Sequence, residues 1–429
     1  MVTSRRAQRP RRLAHVVGAG LAGLAAAVRL AASDRFEVRL HEAAGQAGGR
    51  CRSFPDETLG AVIDNGNHLL LSGNRSAMSY LSEIGARHTL YAAPEAAFPF
   101  VDLESGARWT VRPNRGPLPW WIFDPARRVP DTSAWDYLAA LRLAFAEPNA
   151  TVAHCLAAHR ILYRRFWEPL AVAVLNTAAE EGAARLLWPV LVETLGRGGG
   201  ASRPCIAKDG LSASFVDPAL KRLADAGVEM GFNRRLRAIE IAEGRIAKLD
   251  FAQGKIELEA GDLVILALPP ARVAELLPGA QVPLESRAIV NAHFRLASVP
   301  AFPEELPFLG LVGGTAHWLF RRGSIVSVTV SAADALAEVA NEEVAARLWG
   351  DVAKALALPG APLPPVRIVK EKRATFAQVP AALAKRARTR TQLANLFLAG
   401  DWTDTGLPAT IESAVRSGHL AAAAALTKE

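Results

Sequence analysis

Cysteine is scarce: Cys51, Cys155 and Cys205 are the three in 429 residues. They are too few and too scattered for a disulfide framework, and no C-x-x-C pair or Cys/His cluster supplies a metal site. A disulfide-stapled secreted module and a zinc protein are thereby excluded, and a reducing, cytoplasmic setting is expected. Also missing is any uncharged apolar run near the roughly 18 to 20 residues needed to cross a bilayer. Membrane contact, if made, is expected to be peripheral, at the inner face. The apolar stretch 13–32 follows arginines as a secretory leader would, but three glycines at fixed spacing and Arg29 interrupt it, so it reads as folded domain. Acids are absent from one place: Arg5, Arg6, Arg9, Arg11 and Arg12 crowd the first dozen residues alone. Such an arm, 1–12, is either a solvated tail or an element drawn to anionic lipid by roughly 1 kcal/mol per residue. The rest of the net +8 is spread among acids, which argues against nucleic acid as a partner.

What is present begins with apolar residues, 50% of the chain, enough for large cores and two domains. "AHVVGAGLAGLAAAVRL" places Gly18, Gly20 and Gly23 on the G-x-G-x-x-G spacing, between an apolar strand at 13–17 and an alanine-rich helix. That turn cradles a pyrophosphate at a helix N-terminus. A second strand, "FEVRLHEA", ends at Glu42, nineteen residues beyond Gly23, where an acid accepts the adenosine ribose hydroxyls and selects against a 2'-phosphate. "GQAGGRCRS" follows with Gly45, Gly48, Gly49 and Arg50: either a surface turn or a second pyrophosphate contact. In "AVIDNGNHLLLSGN", Asn65, Gly66, Asn67 and His68 interrupt two strand-like runs, with His68 read as a cofactor neighbour, not a catalyst. Near the end, "LFLAGDWTDTGLPATIESAVRSG" repeats the order of strand, Gly-Asp turn (Gly400, Asp401) and helix. Two helix N-termini facing one long cofactor is the arrangement FAD requires, and no metal is called for.

Between these halves the character changes. Residues 86–205 hold six of the nine tryptophans (Trp109, Trp120, Trp121, Trp135, Trp167, Trp188) and helical patterns such as "AWDYLAALRLAFA" and "LYRRFWEPLAVAVLN". Residues 206–270 return to helix, strand, a three-stranded meander turned at Gly244 and Gly254, and a buried run at 263–268. The expected architecture is α/β: an FAD-binding Rossmann-like domain of the glutathione-reductase type (13–85, 206–270, 366–429) with an inserted α+β substrate domain (86–205, 271–365).

With these segments quoted, the chain resembles the FAD-dependent amine oxidase, phytoene desaturase and protoporphyrinogen oxidase superfamily along nearly its full length. "GAGLAGLAAAVRL" with "EAAGQAGGR" is similar to the N-terminal signature and "LAGDWTDTGLPATIESAVRSG" to the C-terminal one. "IDNGNHLLLSG" and the closing segment look most like the squalene-associated FAD-dependent desaturases of bacterial hopanoid pathways, the hydroxysqualene dehydroxylases. The resemblance puts Gly18, Ala19, Gly20, Leu21 and Ala22 at the pyrophosphate and Glu42 at the ribose. Gly49 and Arg50 then line the phosphate and ribityl region, Leu236 offers its backbone to adenine, Asp401 holds the phosphate-ribityl chain, and Thr410 and Ile411 present N–H groups to the flavin pyrimidine edge. Preorganised dipoles there stabilise the negative charge of reduced flavin.

Two departures turn the expected substrate away from an amine. Flavin amine oxidases usually carry a strand lysine near the flavin and an aromatic cage; here no lysine occurs between Lys255 and Lys354, and Leu407-Pro408 stands where a cage tyrosine is common. The resemblance implies reductive dehydroxylation of hydroxysqualene to squalene, with tryptophans of the inserted domain as wall residues for an allylic cation. The proton donor is not marked by any spacing. A phytoene-type desaturase is the alternative enzyme. A non-enzymatic prenyl-lipid carrier of the same fold is the other alternative, opposed by Glu42, Arg50 and Asp401. So insoluble a lipid implies uptake from a membrane or handover from an upstream squalene-pathway enzyme.

Overall fold

The computed structural model describes residues 12–427; the expected basic arm lies outside the described residues except for Arg12. A five-stranded parallel sheet runs in the order Glu229–Gly231, Phe36–His41, Arg12–Val17, Leu263–Leu266, Leu396–Leu398. Its central strands are apolar on both faces because both are covered. Leu263 and Ile265 join the cluster under the opening helix Leu21–Ala31, while Val264 and Leu266 join the cluster under the meander. The opening helix packs on the closing helix Ile411–Leu426 so tightly that a Cβ on Gly418 would run into the Ala22 carbonyl. Only glycine fits that crossing.

The meander forms as Leu236–Ala242, Arg245–Phe251 and Gly254–Glu257. Its first turn puts Glu243 (φ 51) and Gly244 (φ 70) in the left-handed region, the geometry of a tight two-residue hairpin.

The second sheet has seven strands, in the order Val366–Phe376, Ser286–Arg295, Ile325–Val330, Trp318–Arg322, Phe308–Val312, Phe98–Asp102, Arg108–Val111. Strand alternation divides its faces. Val290, Ala292, Phe294, Val326 and Val328 pack on the helix Asn341–Ala355, while Asn291, His293, Ser327 and Thr329 point the other way and are buried. The strand Val366–Phe376 was expected in the cofactor domain; its backbone instead pairs along Ser286–Arg295 as the edge of this sheet. Its run Lys370-Glu371-Lys372-Arg373 reads as a linker, and a half-exposed edge strand offers no apolar alternation to reveal it.

The tryptophan-rich segment forms short helices, not the long ones its pattern suggests. "AWDYLAALRLAFA" makes one α turn, Ala134–Tyr137, then a helix of three residues per turn, Leu138–Phe145. "LYRRFWEPLAVAVLN" opens as a wide turn, Tyr163–Trp167, before the α-helix Glu168–Leu175, which stops at left-handed Asn176 (φ 46). Of the expected wall residues, Trp109, Trp121 and Trp167 are buried in one aromatic cluster, whereas Trp120 and Trp135 face solvent. No helix among the described residues is long and apolar enough to cross a membrane.

Candidate functional site

The opening turn is fixed by close approach. Gly18 (φ 105) donates its N–H to the His41 carbonyl at 2.7 Å, and a Cβ there would run into the Ala267 carbonyl. A Cβ on Gly23 would run into the Gly18 carbonyl, so the strand and helix meet only through glycines. Gly20 caps the helix without any side-chain hydrogen bond, and open space lies where its Cβ would be. The first-turn N–H groups of Leu21 and Ala22 have no partner within the helix and carry the positive end of its dipole. The second glycine loop lies against this turn: Gly48 donates to the Ala19 carbonyl at 2.8 Å, and a Cβ on Gly49 would sit 3.4 Å from the Gly20 Cα.

Glu42 closes the same end. Its Oε2 accepts from the Ala19 N–H at 2.7 Å and its Oε1 from the Ala44 N–H at 2.8 Å, leaving lone pairs on both oxygens for further donors. The Arg234 N–H donates to the Glu42 carbonyl at 2.7 Å, which draws the start of the meander, with Leu236, to this end. The carbonyl of Leu236, whose backbone is expected at the adenine, accepts from Arg272 at 2.6 Å and keeps a second lone pair.

The two halves meet at Arg50. Its Nη2 donates to Asp401 Oδ1 at 2.8 Å and its Nη1 to the Ala374 carbonyl. Asp401 beside it raises the guanidinium pKa further, so Arg50 is a fixed cation. Its side chain, held between Ala374 and Asp401, keeps 43% exposure. Past Asp401, Thr410 caps the closing helix by accepting the Ser413 N–H at 3.2 Å. Glu412, buried, accepts from the Ser76 and Ala77 N–H groups at 2.9 Å each and so caps the helix Arg75–Glu83.

The segment 65–68 runs against the polar face of the seven-stranded sheet. Asn65 Nδ2 reaches the Arg50 carbonyl and Glu371 at 3.4 Å each, its own carbonyl accepts from Asn291 at 3.3 Å, and Asn67 donates to Thr329 Oγ1 at 3.0 Å. Gly66 sits directly over Asn291. His68 lines a cavity of about 300 Å³ with Asn67, Tyr91, Leu211, Phe320 and Arg322. Burial lowers its pKa to about 4, Arg50 adding to this and Asp64 opposing it.

Three residues that matter here carry no sequence signal. Arg386, within "AKRARTR", looks like surface charge, yet it is 8% exposed and donates to the carbonyls of Asp401, Trp402 and Thr403. Gln378 accepts the Ala409 N–H at 2.8 Å and donates to the Leu175 carbonyl, tying the closing turn to the helical layer. Asn291 is one buried amide in a long apolar strand.

These features fit FAD. The glycine cradle has room in front of it at Gly20, the opening and closing helices pack on one another, an acid stands beside the opening turn, and Arg50 on Asp401 joins the two halves. The residue types are also the ones FAD needs: neutral donors for a pyrophosphate, Glu42 for a ribose, and Arg50 with Asp401 for the phosphate-ribityl chain.

The pattern of the flavin containing amine oxidoreductases matches residues 21–426, and the chain belongs to that family: it is an FAD-dependent oxidoreductase. Within it, the chain is 48% identical to the hydroxysqualene dehydroxylase of Rhodopseudomonas palustris over 409 residues, covering 95% of this chain and 97% of that one. It is 46% identical to the hydroxysqualene dehydroxylase of Zymomonas mobilis, over 96% and 99% of the two chains. Among solved structures, cyclohexylamine oxidase from Brevibacterium oxydans superposes with a TM-score of 0.71 at 17% identity, over 97% of this chain and 99% of that one. At that identity the likeness is one of fold.

Glu42→Gln is a direct test of the adenosine end. The amide keeps one acceptor but turns its NH₂ toward a backbone N–H, leaving that donor unpaired at a cost of about 1–3 kcal/mol. The expected result is FAD affinity weakened by roughly 10- to 100-fold, read by flavin fluorescence titration of the apoprotein. Unchanged affinity would remove Glu42 from the site.

Proposed function

We propose that this chain replaces the allylic hydroxyl of hydroxysqualene by hydrogen, giving squalene, and that it draws this substrate from a lipid phase or from the enzyme that makes it. The observation that carries the reading is the apolar front of the closing turn. Leu407 and Ala409 are buried beside Pro408, and the central strands of the seven-stranded sheet carry no lysine toward them. The strands Ser286–Arg295, Phe308–Val312, Trp318–Arg322 and Ile325–Val330 contain none; on the edge strand, Lys370 binds the Val339 carbonyl and Lys372 binds Glu338. The name shared by the two relatives supports the same substrate.

Bound FAD supplies a two-electron couple, and the net change, R–OH plus two electrons and two protons to R–H and water, needs it. The chain does the rest. The opening turn from Gly18 through Ala22 would lie against the pyrophosphate, with Gly49 beside it. The N–H groups of Gly18 and Ala19 are spent on the His41 carbonyl and Glu42, so those at the helix start, Gly20 through Ala22, would do the holding, and Glu42 would hold the ribose. Arg50, kept cationic by Asp401 on the Gly400 turn, neutralises phosphate charge. The N–H groups of Thr410 and Ile411 face the pyrimidine edge, and Asn65, Gly66, Asn67 and His68 border the ring. Burial lowers the pKa of His68 to about 4, so it is neutral at physiological pH and does not supply the proton.

The test is to reduce the purified protein anaerobically and add hydroxysqualene. Flavin reoxidation with stoichiometric squalene is expected. No response to hydroxysqualene, together with reduction of the oxidised protein by phytoene, would reverse the direction of the reaction.

A further inference from the structure

We propose that the face carrying Trp120, Phe123, Trp135, Leu138, Leu141 and Phe145 docks this protein onto an anionic lipid bilayer. Fifteen large apolar side chains are exposed among the described residues, and eight of them fall within 118–161. Every exposed tryptophan and phenylalanine is in that group, with Trp135 at 74% and Phe145 at 87% exposure. Solitary exposed apolar residues are ordinary, but a concentration of aromatics in one segment marks a binding surface.

The local structure explains how the segment shows two faces. From Leu138 the helix has three residues per turn, so residues three apart eclipse one another. Trp135, Leu138 and Leu141 therefore share one stripe, continued toward Phe145 at the helix end. Tyr137, Ala139 and Leu143 turn inward to the core. Trp120 and Phe123 sit on the preceding turn, with ring centroids 6.0 Å apart, while the intervening Trp121 packs edge-on against Tyr137. The outer stripe has an anchored back and an uncovered front.

Charge selects the occupant. Residues 112–165 contain eight arginines, no lysine and four acids. Asp124 is paired with Arg127, Asp131 with Arg165, and Asp136 with the Ser133 N–H and His159. Arg142 and Arg160 have no ion pair among the described residues, whereas Arg115, with its side chain 92% exposed, is paired with Glu95 at 3.3 Å. Trp, Phe and Leu beside arginines left over from pairing is the composition of an interfacial anchor, whose apolar side chains enter the acyl boundary while the guanidinium groups meet phosphates. A second copy of the chain would set the same arginines against one another. The inference rests on the isoprenoid reading for its purpose only: the patch overlies the aromatic interior of the substrate domain, where Tyr137 meets Phe166 and Trp167.

The experiment is flotation of the full-length FAD-loaded protein with phosphatidylcholine vesicles, with and without phosphatidylglycerol. Wild type is expected to float with the anionic vesicles, with its tryptophan emission quenched by brominated lipid. The triple variant W120S/W135S/F145S, checked for flavin content, is expected to bind about tenfold more weakly or worse. The same variant should turn over detergent-dispersed hydroxysqualene at the wild-type rate and lose turnover only on vesicle-borne substrate. Arg142→Glu should weaken anionic-vesicle binding alone. Equal flotation of wild type and the triple variant would overturn the proposal, as would a wild-type dimer that the triple variant dissociates. Flotation is read without substrate, so it decides the docking surface even if hydroxysqualene proves not to be the substrate.

Discussion

Arg386→Met is expected to lower stability by several kcal/mol and to release FAD from the purified protein. Arg386 is a buried cation without a carboxylate in ion-pair range among the described residues. Burial lowers its pKa, an effect that the nearby charges of Asp404 and Asp401 only partly offset. What holds it is the closing turn. Nε donates to the Trp402 carbonyl at 3.3 Å, Nη2 to the Asp401 carbonyl at 3.3 Å and to the Thr403 carbonyl, and the guanidinium lies 5.4 Å over the Phe376 ring. Methionine keeps the length and removes the charge, which recovers desolvation energy but orphans the Trp402 carbonyl at about 1–3 kcal/mol and takes a charged donor from each of the other two. Of these, the Asp401 carbonyl keeps Ser413 Oγ at 3.4 Å and the Thr403 carbonyl keeps the Thr405 N–H at 2.9 Å. The carbonyl losses outweigh the recovery because the turn is closed on itself: the Gly400 N–H is bound to Ser417 Oγ at 2.8 Å and the Gly400 carbonyl accepts from Thr403. A net loss of about 2–5 kcal/mol is expected. When the turn relaxes, Asp401 leaves Arg50, and the cation at the cofactor's phosphate end is no longer held. Denaturant melts and the ratio of flavin to protein absorbance measure both effects. Arg386→Lys, which reaches one carbonyl where arginine reaches three, should fall between. A methionine variant with parental midpoint and full flavin would show that the turn holds itself.

Such residues mark the limit of what the chain discloses on reading. The opening turn was legible because its glycines are demanded by covalent geometry: Gly18 and Gly23 each abut a carbonyl, and that requirement leaves a fixed spacing. Glu42 was legible because it ends a strand at a set distance along a βαβ unit. The meander announced itself through a turn that needs two left-handed residues. By contrast, Val366–Phe376 hid as an edge strand because half-exposed pairing tolerates charge. Arg386 hid because a lone arginine says nothing about whether it points inward. Helix type in 134–167 was illegible for a related reason. The apolar spacing there serves three- and four-residue turns alike, and tertiary packing of Tyr137, Phe166 and Trp167 decides between them.

Acid is expected to unfold this protein and strip its flavin between about pH 6.5 and 4, through histidines buried in the neutral state. His15, His41, His293 and His419 are all buried. Burial is the leading cause that lowers His15, His293 and His419 to about 4 and His41 to about 3. Geometry gives the same answer. His15 Nδ1 and His41 Nε2 are 3.1 Å apart, so one donates to the other, and a further proton would set two N–H groups face to face. Among the described residues the outer nitrogens of the pair have no hydrogen-bond partner to receive the donor that protonation creates; at His293 burial outweighs the Asp64 charge and backbone, which favour the protonated form. His419 lies 3.4 Å from Glu83, yet burial and Arg29 outweigh that carboxylate. The unfolded chain takes up protons near pH 6.5 and the folded chain only near 4, so the unfolded state binds more protons throughout that interval. Stability is therefore present above pH 6.5 and lost as pH falls. For a fully buried histidine with these two pKa values the loss is about 2 kcal/mol at pH 5. Even half the sum over four groups, about 4 kcal/mol, is a large share of an ordinary folding free energy of roughly 5–15 kcal/mol. His41 directly precedes Glu42, so the adenosine end should open first, and free-flavin fluorescence should rise before the far-UV signal falls. Melting temperatures across this range, compared with His293→Gln, which keeps the 2.7 Å bond to Ser327 but cannot titrate, measure the slope. A melting temperature unchanged down to about pH 5 would mean that these histidines already carry their protons in the fold.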